Sequence, residues 1–206
     1  MTTLQPPYSF LSLGDSYTIA ESVPLFESFP YQTVQLLRKA GIKLQAPEII
    51  AKTGWTTDEL ADAISKIHFN EKYDIVSLLI GVNNQYRGRS VEEYAKEFEG
   101  LAKQAIAFAG NKPEHVFVLS IPDWGCTPFA KDHDREKISA AINGFNAVNK
   151  AITMQLGAHY LEITEDGRES LTDSSLVAAD GLHPSAKEYL KWATKLSKAI
   201  TDQYEY

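Results

Sequence analysis

The sequence predicts an α/β domain built on a five-stranded, mostly parallel sheet with helices over both faces. Short apolar runs alternate from end to end with longer segments whose apolar residues recur at helical spacing. Strands that alternate with helices in this way pair in parallel and are covered on both faces. The 206 residues suffice to bury a sizeable core, with no repeat, low-complexity segment or linker, so residues 1–206 are expected to form a single domain.

The elements come in order. A strand is predicted over 8–13, running into the turn Gly14-Asp15-Ser16-Tyr17, and a helix over 30–40 that stops at Gly41. A strand over 46–51 precedes a helix over 57–67, opened by a capping box of Thr56 with Glu59. The third strand, 74–80, contains Ile75-Val76-Ser77-Leu78-Leu79-Ile80. Ser90 with Glu93 forms a second capping box, ahead of a helix over 91–108. Its residues Val91, Tyr94, Ala95, Phe98, Leu101, Ala102, Ala105 and Ile106 make one apolar stripe, and Gly110 ends it. A strand over 115–121 leads to a helix over 135–156 with a similar stripe (Ile138, Ala141, Ile142, Phe145, Val148, Ile152, Leu156), closed by Gly157. The last strand, 158–163, is succeeded by a helix over 185–202 with Pro184 in its first turn.

Composition narrows the function. A net charge of −7 with no basic block argues against nucleic acid as a partner. No apolar run approaches the roughly 20 residues of a membrane-spanning helix. Met1-Thr2-Thr3-Leu4-Gln5-Pro6-Pro7 has neither the basic start nor the apolar core of a secretion signal. The single cysteine, Cys126, excludes an internal disulfide framework. Together these features predict a cytoplasmic protein.

In an open α/β sheet, ligands bind beyond the carboxyl ends of the strands. The residues just after each predicted strand are therefore informative. In order come Asp15-Ser16, then Thr53-Gly54-Trp55-Thr56, then Gly81-Val82-Asn83-Asn84, then Pro122-Asp123-Trp124-Gly125-Cys126; after the fifth, a long loop leads to Asp180 and His183. A hydroxyl, a bare backbone position, a carboxamide and an Asp–His pair thus arrive at one edge. This is the inventory of acyl transfer: Ser16 as nucleophile, His183 to take its proton, and Asp180 to hold the imidazole tautomer. The backbone N–H groups of Ser16 and Gly54 and the Asn83 amide supply an oxyanion hole.

With these residues in place, the chain resembles the SGNH/GDSL hydrolase family. Gly14-Asp15-Ser16-Tyr17 is similar to the first family block, Gly54 to the second, Asn83 in Gly81-Val82-Asn83 to the third, and Asp180-Gly181-Leu182-His183 to the last. The blocks stand in family order from residue 14 to residue 183. The resemblance implies a three-layer, flavodoxin-like fold and hydrolysis of esters or thioesters without a metal or other cofactor. Two positions depart from the pattern. Asn84 stands where aspartate is common, which bears on a supporting contact, and Tyr17 stands where leucine is common, which bears on the pocket.

Other residues carry competing readings. Trp55, Tyr86 and Trp124 come after strand ends and are candidate pocket walls. Asp15, Asp123, His133, Asp180 and His183 fall on the same edge but match no compact metal-ligand spacing, so no metal is expected. Cys126 has no activating neighbour in sequence and reads as a small buried residue. His68, His115 and His159 read as structural. The expected function is serine-dependent hydrolysis of a small or medium carboxylic ester. The alternatives are deacetylation of an acetylated carbohydrate, or a non-catalytic nucleotide- or phosphate-binding module. The latter lacks any glycine-rich phosphate loop and leaves the Asp–His pair without a role.

Overall fold

The computed structural model describes residues 6–203; residues 1–5, on which most of the N-terminal reading above falls, and residues 204–206 lie outside the described residues. Five strands form one parallel sheet: β1 (Phe10–Gly14), β2 (Glu48–Ala51), β3 (Ile75–Leu79), β4 (Val116–Leu119) and β5 (His159–Leu161). Their order across the sheet is β2-β1-β3-β4-β5. The chain steps outward from β1 to β2, then returns past β1 to build the rest. That reversal opens a crevice between the carboxyl ends of β1 and β3, where such sheets bind ligands.

The three central strands are buried along their whole length, whereas β2 and β5 are partly covered edges. Two polar residues interrupt the central apolar runs, Ser12 and Ser77. They face each other in register and share a 2.7 Å hydrogen bond, so neither hydroxyl is left unmatched in the core.

Helices α1 (Ser16–Ile19), α2 (Phe29–Lys39), α3 (Thr57–Ile64), α4 (Val82–Tyr86), α5 (Val91–Phe108), α6 (Arg135–Gln155), α7 (Thr164–Gly167) and α8 (Ala186–Gln203) complete the fold. α2 packs on α8, while α5 packs on both α3 and α6, giving the two outer layers. In α5, Tyr94, Phe98, Leu101, Ala102 and Ala105 are buried as the stripe requires. In α6 the stripe also carries buried Asn149, which donates to the Tyr94 hydroxyl (3.2 Å) and accepts from Tyr160 (2.9 Å). Tyr94 in turn donates to the Ile80 carbonyl at the end of β3 (3.1 Å). This polar chain fixes the point at which the backbone leaves β3 for α4.

Several expectations need correction. α3 stops at Ile64, three residues early, because the Ser65 hydroxyl turns back onto the Asp62 carbonyl (2.7 Å) and competes with the helix. Glu59 completes its capping box by accepting the Thr56 N–H (2.9 Å). Ser90 caps α5, but Glu93 is drawn to Arg89 (3.5 Å). Pro184 precedes α8 instead of entering its first turn: it bridges to Val177, and Ser185 takes the capping position. α1, α4 and α7 were not expected, since four or five residues are too few to show a period. Gly41, Gly110 and Gly157 come after helix ends in left-handed backbone, as predicted.

Gly14 ends β1, pairs with Leu79 of β3 and leads directly into the nucleophile turn. A Cβ there would stand 2.5 Å from the Leu79 carbonyl oxygen and strike the Thr18 side chain. Gly14→Ala is therefore expected to lower stability by about 1–3 kcal/mol, the usual cost of overpacking, as measured by urea denaturation.

Candidate active site

Ser16 leaves β1 through a capped turn. Asp15 is the N-cap of α1 and its Oδ1 accepts the Tyr17 N–H (3.0 Å), so Ser16 occupies the first helical position. A helix supplies no internal acceptor for the N–H at that position. The Ser16 Oγ meets His183 Nε2 at 3.0 Å, and both residues are buried. On the far side of the ring, His183 Nδ1 meets Asp180 Oδ2 at 2.6 Å. The other carboxylate oxygen, Oδ1, accepts the backbone N–H groups of Leu182 (2.9 Å) and His183 (3.0 Å). The three-residue spacing thus works as a local turn: the carboxylate holds the backbone of the residue whose ring it orients.

Partial burial alone would raise the Asp180 carboxyl, but hydrogen bonds from the His183 ring, the Ser22 hydroxyl and the two backbone N–H groups outweigh it. They hold it well below the ordinary carboxylate range. Asp180 is ionised whenever the imidazole is in use.

The other two predicted donors arrive from β2 and β3. Gly54 takes φ +84° after β2, a left-handed conformation costly for any residue with a Cβ. Asn83 lies in α4 and donates through Nδ2 to the Trp55 carbonyl (3.0 Å), which fixes the carboxamide and leaves its second N–H hydrogen for a ligand. Asn84, the departure from the family pattern, is fully buried. Its Oδ1 accepts the Thr57 N–H (3.1 Å), as a carboxylate can, and its Nδ2 donates to the Thr57 hydroxyl (2.6 Å), as a carboxylate cannot. The supporting contact therefore exists in amide form, and two adjacent asparagines clamp α4 to the loop after β2 and to the start of α3.

Ser16, Gly54, Asn83 and His183 line one cavity of about 190 Å³. Its remaining walls are largely apolar, from Val82, Tyr86, Trp124, Phe129 and Leu182. Tyr17 also lines it and packs edge-on against the His183 ring at 5.4 Å, where a leucine would offer no ring edge. Trp124 is held by its indole N–H on Gln85 Oε1 (2.8 Å), and Tyr86, 55% exposed, packs edge-on against it.

Trp55 is a correction. Its side chain is not in this cavity; it packs partly on the core and borders a separate groove with Asp58, Glu59 and Lys66. What Trp55 gives the site is its carbonyl. Phe129 and Val82 belong to the wall without having been expected there.

The remaining candidates are otherwise engaged. Asp123 is buried and paired with Arg168 (2.9 Å), and His133 packs on the rings of Trp124 and Phe129. Among the described residues, no three His, Cys, Asp or Glu side chains converge as metal ligands. Cys126 is buried, and burial pushes its thiol up to about 11, the opposite of activation. His159 stacks on Phe117 and bonds to the Glu114 carbonyl (3.0 Å), a structural placement.

A parallel α/β sheet that presents a Ser–His–Asp hydrogen-bond chain at its carboxyl edge defines a hydrolase of flavodoxin-like fold. The chain belongs to the GDSL-like Lipase/Acylhydrolase family, whose model matches residues 12–190. Solved structures of similar fold include a lipase/acylhydrolase from Enterococcus faecalis, with 18% identity, a TM-score of 0.76, and coverage of 96% of this chain and 97% of that one. TesA superposes at a TM-score of 0.75 with 17% identity, covering 95% of this chain and 99% of its own. A variant of Axe2, an acetyl-xylooligosaccharide esterase from Geobacillus, gives 0.74 with 18% identity, over 99% and 98% of the two chains. A search of curated protein sequences finds no match. No helix of the described residues is long and apolar enough to cross a membrane.

Beneath the nucleophile, Asp15 Oδ2 is buried with no hydrogen-bond partner. Burial raises this carboxyl from 3.8 to about 7, against the pull of the Tyr17 N–H. The folded state therefore binds a proton that the unfolded chain has already lost, and stability falls as pH rises from about 4 to about 7. Asp15→Asn keeps the acceptor for Tyr17 and removes the ionisation. Urea midpoints of this variant are expected to be flatter than wild type across that range.

Proposed function

We propose that this protein is a serine-dependent carboxylic ester hydrolase that works through an acyl-enzyme on Ser16. The observation that carries the reading is the unbroken chain Asp180 Oδ2, His183 Nδ1, His183 Nε2, Ser16 Oγ, with links of 2.6 and 3.0 Å. Those distances lie within hydrogen-bond reach for proton transfer, with the base oriented by a third group.

In this mechanism Ser16 Oγ attacks the ester carbonyl carbon and passes its proton to His183 Nε2. The carbonyl oxygen becomes an oxyanion, received by the N–H groups of Ser16 and Gly54 and the Asn83 amide. The protonated ring, stabilised by Asp180, returns its proton to the leaving alkoxide, which departs as the alcohol. Water then attacks the acyl-enzyme with His183 again as base, releasing the acid and restoring the serine. Each charge that develops meets a group already in place, so little reorganisation is needed.

The cavity supports a small substrate. A cavity of about 150 Å³ holds a benzene ring. The space here, about 190 Å³ with largely apolar walls, accordingly suits a short alkyl acyl group better than a sugar. A nucleotide- or phosphate-binding role would leave the Asp180–His183–Ser16 chain with nothing to do.

The experiment is a panel of aryl esters from acetate to palmitate, with acetylated sugars, run on wild type and Ser16→Ala. Turnover is expected to peak at acyl chains of about four to six carbons. It should fall on the order of a thousandfold or more in Ser16→Ala, with circular dichroism unchanged. Near-wild-type turnover by a folded Ser16→Ala protein would remove the nucleophile assignment.

A further inference from the structure

Between α1 and α2 the chain makes a turn with two non-glycine residues in left-handed backbone, Ala20 (φ 60°) and Ser22 (φ 69°). Such conformations are costly for residues with a Cβ and persist where surrounding contacts hold them. Here the contacts point two ways. The Ser22 hydroxyl donates to Asp180 Oδ2 at 2.7 Å, across 158 residues of sequence. Its neighbour Glu21 accepts from the hydroxyl of Thr53, the residue before Gly54 and itself part of the cavity lining.

The oxygen that Ser22 chooses matters. Asp180 Oδ1 is already held by two backbone N–H groups of its own turn. Oδ2 has the His183 ring on one side and Ser22 on the other, so the serine sets where the second half of the carboxylate lies against the ring.

We infer that Ser22 is a positioning residue for the acid–base pair, its hydroxyl aligning the Asp180 carboxylate on His183 from a turn in which the adjacent residue, Glu21, steadies the Gly54 loop. The inference rests on the proposed esterase mechanism for its effect on rate. A hydroxyl that donates to Oδ2 also draws off part of its negative charge. Without it, more charge faces the imidazole N–H, which favours the protonated ring.

The test compares wild type with Ser22→Gly, which keeps the left-handed turn at ease, and Ser22→Ala, which keeps the Cβ. Both remove the hydroxyl and leave untouched the other ionisable groups near the pair: Tyr17, Asp123 and Glu188, which line a pocket with His183, and Asp15, next to Ser16. In both variants kcat is expected to fall on the order of tenfold, with KM changed less than about twofold. The acidic limb of the kcat/KM–pH profile should move to higher pH. Independently of turnover, the downfield NMR resonance of the His183 Nδ1 proton should shift or broaden in both variants. Wild-type kcat, pH limb and resonance in Ser22→Gly would overturn the inference. A loss of kcat with limb and resonance unmoved would also overturn it, assigning Ser22 to the turn alone. Retained turnover in Ser16→Ala would strike the esterase mechanism itself, and the NMR comparison would still decide the role of Ser22.

Discussion

The hydrogen bond between Ser16 Oγ and His183 Nε2 joins the beginning of the chain to its end, 167 residues apart. Much of the molecule can be understood as the means of holding that 3.0 Å contact. The serine is set by β1, a strand paired on both sides and buried throughout. The histidine arrives after β5 on a long segment that holds only α7 and short 3-10 turns, so it is fixed by individual hydrogen bonds and ion pairs. Thr164 anchors the loop on the Ser120 hydroxyl (2.7 Å), and Arg168 ties it to Asp123. Ser170 bonds to the Cys126 carbonyl (3.1 Å). Nearer the pair, the Phe129 N–H reaches the Gly181 carbonyl (2.9 Å) and the Ala178 N–H reaches the His183 carbonyl (2.7 Å). α8 then packs on α2 and closes the arrangement. The buried Asp123 carboxylate matters most when its partner is lost, because an unpaired buried charge costs far more than the pair contributes.

The second half of the site is held differently. Besides the Ser16 N–H, the predicted oxyanion donors come from the loop after β2 and from α4 after β3, strands on either side of β1. They are joined across that gap by Asn83 and Asn84, which reach the carbonyl of Trp55 and the backbone and hydroxyl of Thr57. From behind, Tyr94 and Asn149 fix the end of β3. The scaffold therefore places buried polar groups at loop ends, where the site needs precision, and keeps the sheet interior apolar apart from the matched Ser12–Ser77 pair.

Much of this was legible in the sequence because the governing signals are local. Five apolar runs and five amphipathic segments marked the sheet and its long helices. Ser16, Gly54, Asn83, Asp180 and His183 all come after strand ends, and the fold gathers four of them around one cavity, with Asp180 behind the histidine. What escaped depends on distant partners. Trp55 looked like a wall because it comes after a strand, but a side chain's direction in a loop has no period from which to read it. Ser22 is an ordinary serine until its partner, 158 residues away, is in place. Pro184 suits a helical first turn by its fixed φ, yet the bridge to Val177 keeps it extended. Phe129 enters the cavity from an irregular segment with no pattern of its own.

The central claim is that His183 activates Ser16 as a nucleophile. Its most direct measurement is the rate at which an aryl organophosphonate labels the protein, tracked by intact mass and by mapping of the modified peptide. One adduct is expected, on Ser16, absent from Ser16→Ala and formed at least about a hundredfold more slowly in a folded His183→Gln protein, the scale of losing a general base. An adduct on another residue, or labelling of Ser16 at the wild-type rate without the imidazole, would contradict the account.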